Sequence, residues 1–256
     1  MLQSLAVTKL EKNNYLRMSR PGFDKSFYFF LLCFLAKLNR AQCSRTFEKV
    51  ENEEEEVYEV LNLHKLKAHT ANLKVINLWG VPFVSDEHIE SLTTNCAHIE
   101  CLSVSYCMKF RGTALKTLLY RCKKLKCLLM EQCILDSKAV SDAGWDKCKL
   151  EELNITGTDL TTECLIAILS HLPNLKWLSA GYSEYLTDEV VEAWADAGTL
   201  KNMRSLDLHF CDSLSEAILT DLLTIIGHQL EGLNLSGVGT LVEKFWLDNI
   251  PKIRNT

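Results

Sequence analysis

Residues 149–155 read KLEELNI and place Leu150, Leu153 and Ile155 in the order LxxLxL. The same frame recurs upstream as Leu125-Leu128-Met130 in KLKCLLM, Ile99-Leu102-Val104 in HIECLSV and Leu73-Ile76-Leu78 in NLKVINL. Downstream it returns as Leu175-Leu178-Ala180 in NLKWLSA, Met203-Leu206-Leu208 in NMRSLDL and Leu230-Leu233-Leu235 in QLEGLNL. Successive first positions stand 26, 26, 25, 25, 28 and 27 residues apart. The end of each segment alternates with the period of a strand, so Ile76 and Leu78 face inward while Val75, Asn77 and Trp79 face outward.

Between these strands run apolar residues at helical spacing, such as Ile89, Leu92 and Cys96, or Leu165, Ile168, Leu169 and Leu172. Ser85-Asp86, Thr161-Thr162, Thr187-Asp188 and Ser215-Glu216 supply short oxygens where helix N-termini are expected. A parallel strand reaches its successor only by a long crossover, and 25–28 residues accommodate one strand and one helix. The period and the LxxLxL core are those of a leucine-rich repeat. The expected fold is an α/β solenoid of seven repeats, a right-handed β-α arc with parallel strands inside and wider helices outside.

The chain has 256 residues, 47% of them apolar, enough to bury a continuous core. A formal charge of -5 argues against a nucleic-acid partner, since phosphate binding calls for a clustered cationic excess. Eleven cysteines make an odd count, and no two stand in a CxxC pair of the zinc-site kind; reduced, buried thiols in a cytoplasmic or nuclear setting are the simplest reading. The seven histidines are scattered over different units without ligand spacing, and no GxGxxG or GxxxxGK sequence follows a strand. Neither a metal nor a cofactor is expected, and the chain reads as a binding protein and not an enzyme.

Five residues beyond the middle apolar residue stand Val81, Cys107, Cys133, Thr158, Ser183, Cys211 and Val238. Three before the first stand Thr70, Cys96, Cys122, Leu172, Leu200 and Gly227, with Cys148 one place off. On these two ladders of small or thiol side chains, residues 70–250 resemble the cysteine-containing repeats of the F-box/LRR family, the substrate-receiving subunits of cullin-RING ubiquitin ligases. That resemblance implies a protein substrate on the concave face, and a ligase adaptor as second partner where an F-box is present. An F-box normally opens with Leu-Pro and ends in an aromatic-rich stretch with Trp, and residues 1–69 contain neither. The alternatives are a scaffold or assembly factor without a ligase link, and a secreted or membrane-directed repeat protein.

The last alternative draws on the run Phe27 to Ala36, FYFFLLCFLA. It is too short for a membrane span, which takes about 20 residues, and sits further from the first Met than a signal-peptide core normally does. A membrane partner is therefore not expected. Residues 1–50 form an atypical segment, read as poorly ordered or helical. Residues 51–69 combine an acidic stretch with the periodicity of Val57, Val60, Leu61 and His64, and are expected to form a helix capping the first strand. Residues 251–256 start an eighth repeat, because Ile250-Pro251-Lys252-Ile253 has the layout of Leu172-Pro173-Asn174-Leu175; the expectation is a longer parent protein.

Stacking the repeats aligns the outward strand residues in three columns. The first runs Val75, Cys101, Cys127, Glu152, Trp177, Ser205, Gly232; the second Asn77, Ser103, Leu129, Asn154, Ser179, Asp207, Asn234; the third Trp79, Ser105, Glu131, Thr156, Gly181, His209, Ser236. Large aromatics where the repeat does not need them are candidate anchors for a bound protein. Trp79 and Trp177 lead, with Leu129, Glu131, Asp207 and His209 beside them and Tyr106, Tyr182 and Phe210 at the strand exits.

Overall fold

The computed structural model describes residues 73–253 and three short upstream strands, Ser4–Ala6 (β1), Phe47–Lys49 (β2) and Glu59–Leu61 (β3). Seven further strands follow, each three residues long: Val75–Asn77 (β4), Cys101–Ser103 (β5), Cys127–Leu129 (β6), Glu152–Asn154 (β7), Trp177–Ser179 (β8), Ser205–Asp207 (β9) and Gly232–Asn234 (β10). They pair in parallel and in sequence order, so Val75, Cys101, Cys127, Glu152, Trp177, Ser205 and Gly232 are successive register partners. The structure is a leucine-rich-repeat solenoid with strands inside and helices outside.

Every apolar residue of the seven LxxLxL frames is buried except Leu233 of the last repeat, which is half-buried. The helices close the other side of this core. They are Asp86–Asn95 (α1), Leu115–Arg121 (α2), Ser137–Ser141 (α3), Thr162–Leu169 (α4), Asp188–Asp196 (α5), Glu216–Ile226 (α6) and Glu243–Asn249 (α7). Ser85, Thr161, Thr187 and Ser215 all occupy N-cap positions. Thr161 Oγ1 accepts from the Cys164 amide at 3.4 Å and Ser215 Oγ from the Ile218 amide at 3.2 Å, satisfying amides that the helix leaves without a carbonyl. Repeat three is the irregular one: α3 has five residues, Gly144 turns left-handed at φ 79°, and a 3-10 turn at Trp145–Lys147 completes the crossover. Cys148 caps that turn, which explains its place one residue off its ladder.

The thiols serve the backbone as well as the core. Cys107, Cys133 and Cys211 each donate to a carbonyl of the preceding repeat, at Leu78, Val104 and Ala180, over 3.0, 3.1 and 3.2 Å. Cys96 and Cys122 occupy the C-caps of α1 and α2, and Cys122 Sγ donates to the Cys96 carbonyl at 3.4 Å. Burial pushes the thiols of Cys107, Cys122 and Cys164 up to about 12 and those of Cys133 and Cys211 to about 11. These groups hold their protons in the native state, so their share of stability is complete below the ordinary thiol value of 9.0 and disappears as the pH rises towards 11–12. Ellman's reagent at pH 8 is expected to leave these five thiols unmodified in the native protein and to titrate them once the chain is unfolded in guanidinium; native modification would contradict the assignment.

Two upstream features differ from expectation. Glu59–Leu61 is a strand antiparallel to Phe47–Lys49 where a capping helix was read, in keeping with the preference of β-branched Val60 for extended backbone; residues 51–58 and 62–69 lie outside the described residues. Ser4–Ala6, in a segment read as poorly ordered or helical, pairs in parallel with β4 and adds an eighth strand to the sheet. An open edge offers a row of unpaired amides and carbonyls that any extended segment can satisfy, so such pairing leaves no side-chain signature. The run Phe27 to Ala36 and the question of an F-box lie outside the described residues. No described helix is long and apolar enough to cross a membrane.

Candidate functional site

The inner surface is organised by how each strand ends. In four repeats the second-column residue closes the strand by accepting the amide two residues on: Asn77 from Trp79 at 3.0 Å, Asn154 from Thr156 at 3.0 Å, Asp207 from His209 at 3.2 Å and Asn234 from Ser236 at 3.1 Å. One residue beyond the third column the chain turns through the left-handed region in all seven repeats, at Gly80, Tyr106, Gln132, Gly157, Tyr182, Phe210 and Gly237. Three repeats use glycine there. Four hold a larger side chain, at φ 61°, 55°, 53° and 54°, in a conformation that costs an L-residue about 1–2 kcal/mol.

Two clusters result. At the first, the Trp79 and Tyr106 rings lie 5.1 Å apart and tilted, and the Tyr106 hydroxyl donates to Glu131 Oε1 at 3.0 Å while Asn154 Nδ2 donates to Oε2 at 3.4 Å. Burial, then the Glu131 charge, pushes the Tyr106 phenol above its usual value, so it stays a donor. At the second, the Tyr182 and Phe210 rings stack at 4.8 Å with an 11° interplanar angle, and His209 meets Tyr182 edge-on at 4.8 Å. His209 Nδ1 is held 2.6 Å from Asp207 Oδ1. Tyr182 and Phe210 are 52% and 47% exposed, well beyond what a packing role needs.

Trp177 joins neither group. It starts β8 at 41% exposure, with Lys176 Nζ 5.7 Å from its ring centroid, whereas Trp79 follows the end of β4; the two leading sequence candidates stand at opposite ends of their strands, four repeats apart. Leu129 is half-buried at the end of β6, in register with Ser103 and Asn154. Among the described residues no three His, Cys, Asp or Glu side chains gather to hold a metal.

A further ladder went unread in the sequence although its signal is plain there. Two residues before each middle apolar position stand Lys74, Glu100, Lys126, Glu151, Lys176, Arg204 and Glu231. Lys74 pairs with Glu100 at 2.9 Å, and Glu151 receives Lys126 at 3.0 Å and Lys176 at 2.7 Å. Hydrogen bonding from Lys74 holds Glu100 below the ordinary carboxylate value, and that from Lys176 and then Lys126 does the same for Glu151. A depressed carboxylate contributes stability above its ordinary value of 4.5 that is lost as the pH falls through the folded one. Glu151→Gln is expected to lower stability at pH 7 by at most about 1 kcal/mol, since the three charges are partly solvated. The urea midpoints of variant and parent should converge below pH 4.5; a gap that persists in acid would exclude the ion pairs as its origin.

No family model and no curated protein matches the sequence. Among solved structures the chain is similar to one in the crystal structure of the Rad7 and Elc1 complex in yeast, at 15% identity and a TM-score of 0.48, over 75% of this chain and 57% of that one. It is also similar to one in the crystal structure of the TLR13–ssRNA13 complex, at 13% identity and a TM-score of 0.43, over 75% of this chain and 33% of that one. The chain thus spans less than two thirds of the length of either neighbour. What its own geometry establishes is a leucine-rich-repeat arc carrying two aromatic clusters where its strands end.

Proposed function

We propose that the arc receives a protein substrate on its concave face and presents it to a cullin-RING ubiquitin ligase, acting in the cytoplasm or nucleus and performing no bond chemistry itself. The observation that carries the binding role is the exposed, stacked pair Tyr182 and Phe210, held in a backbone conformation that the fold satisfies more easily with glycine. The ligase link is supported by the two cysteine ladders, on which the resemblance to F-box/LRR receptors rests. Thiols pushed to about 11 or 12 by burial are poor nucleophiles at neutral pH, which favours a binding over a catalytic role for the cysteines.

Affinity purification of the tagged chain from cells tests the ligase link. Co-purification of a cullin and its adaptor is the expected result, and their absence sinks it. The second reading, a scaffold with no ligase link, is favoured by the lack of Leu-Pro and Trp in residues 1–69.

A further inference from the structure

We infer that the strand-exit rim of repeats five and six takes an arginine-bearing, basic segment of its partner, with the guanidinium against the Tyr182–Phe210 ring pair. This rests on the reading of the arc as a protein-binding module and is independent of the ligase link.

The first line of argument is the ring pair itself. Tyr182 gives one face to Phe210 and is still 52% exposed to water, and a planar guanidinium is the cation that stacks best on an aromatic face. The pair is positioned in advance. Phe210 lies over Gly237, where an added Cβ would overlap its ring, and His209 lies over Gly181 in the same manner. His209, oriented by Asp207, backs the edge of Tyr182. A side chain fixed before binding loses little freedom on contact, which is what an anchor requires.

The second line is charge, and it is independent of the rings. Residues 101–149 hold ten lysines and arginines against four acids, whereas residues 151–243 hold three against fifteen. The exit loops of repeats four to six, 157–163, 182–189 and 210–216, contain no Lys or Arg at all. Glu184 and Asp212 follow two residues behind Tyr182 and Phe210 in those loops. A modest overall charge of -5 therefore conceals a strongly polarised arc, whose acidic half steers cations to the ring pair and repels phosphates. Aromatic faces also stack on nucleobases, but the surrounding acids disfavour an oligonucleotide.

The left-handed backbone makes the test clean. Tyr182→Gly and Phe210→Gly remove the rings while relieving strain, so both variants should fold with a melting temperature close to that of the parent. Fluorescence anisotropy of the full chain with a labelled peptide alternating arginine and glycine is expected to show saturable binding that weakens with salt. The lysine–glycine counterpart should bind less tightly, a single-stranded oligonucleotide should not compete, and each glycine variant should lose about tenfold or more in affinity. Tyr120→Ala, which removes an exposed ring on α2, should bind as the parent does. Absence of binding, equal affinity for the lysine peptide, preference for the oligonucleotide, or undiminished binding by both folded glycine variants would each overturn the inference. None of these outcomes bears on cullin recruitment.

Discussion

Leu128→Ala is expected to lower the unfolding free energy by about 2–5 kcal/mol, the range for emptying a leucine-sized volume in a packed core. Leu128 is the middle residue of β6, fully buried, with Leu102 on one side of it in register and Leu153 on the other. A solenoid is stabilised by contacts between neighbouring units, so a void at the centre weakens two interfaces at once. Leu233→Ala, in the last described strand, empties a half-buried site and has one such neighbour, Leu206; its effect should be clearly smaller. Urea unfolding followed by circular dichroism measures both. Equal losses would mean that the stack does not behave as a row of coupled units, and a single broad transition for Leu128→Ala would show that the halves begin to unfold separately.

The second large effect is expected at Gly112, in the turn before α2. Its φ is +90°, and a Cβ built there would sit 2.8 Å from Val140 Cγ2 and 3.4 Å from Leu115 Cδ1, inside the core. Gly112→Ala therefore combines about 1–2 kcal/mol of backbone strain with about 1–3 kcal/mol of overpacking. Gly80→Ala separates the two contributions, because at φ +68° a Cβ meets nothing within 4 Å and only strain remains. The Gly112 variant should melt lower than the Gly80 variant. If the two melt together, Val140 has moved aside without loss and the close contact carries no energy.

The repeats and the inner columns were readable because burial imposes a period on the sequence: each LxxLxL frame has its strand, and Val75 to Gly232 align as the spacing required. The candidate site was legible as membership and not as grouping. The columns already set Trp177 at the first outward position and Trp79 at the third, but carried no sign of which rings would meet across repeats. The pairing of Tyr182 with Phe210 depends on a left-handed turn in each repeat, and that turn was hidden because only Gly80, Gly157 and Gly237 show its usual marker. The association of β1 with β4 had no signature to read, since it is made by backbone.

The charges that alternate over the first five strand starts have one more consequence. In a stack of near-identical units the least demanding error is to leave one out and dock its neighbours together. Omitting repeat two would set Lys74 against Lys126, omitting repeat three Glu100 against Glu151, and omitting repeat four Lys126 against Lys176. Each wrong stack meets like charge where the right one meets opposite charge, so side chains worth little to the finished arc act as a parity check on its assembly.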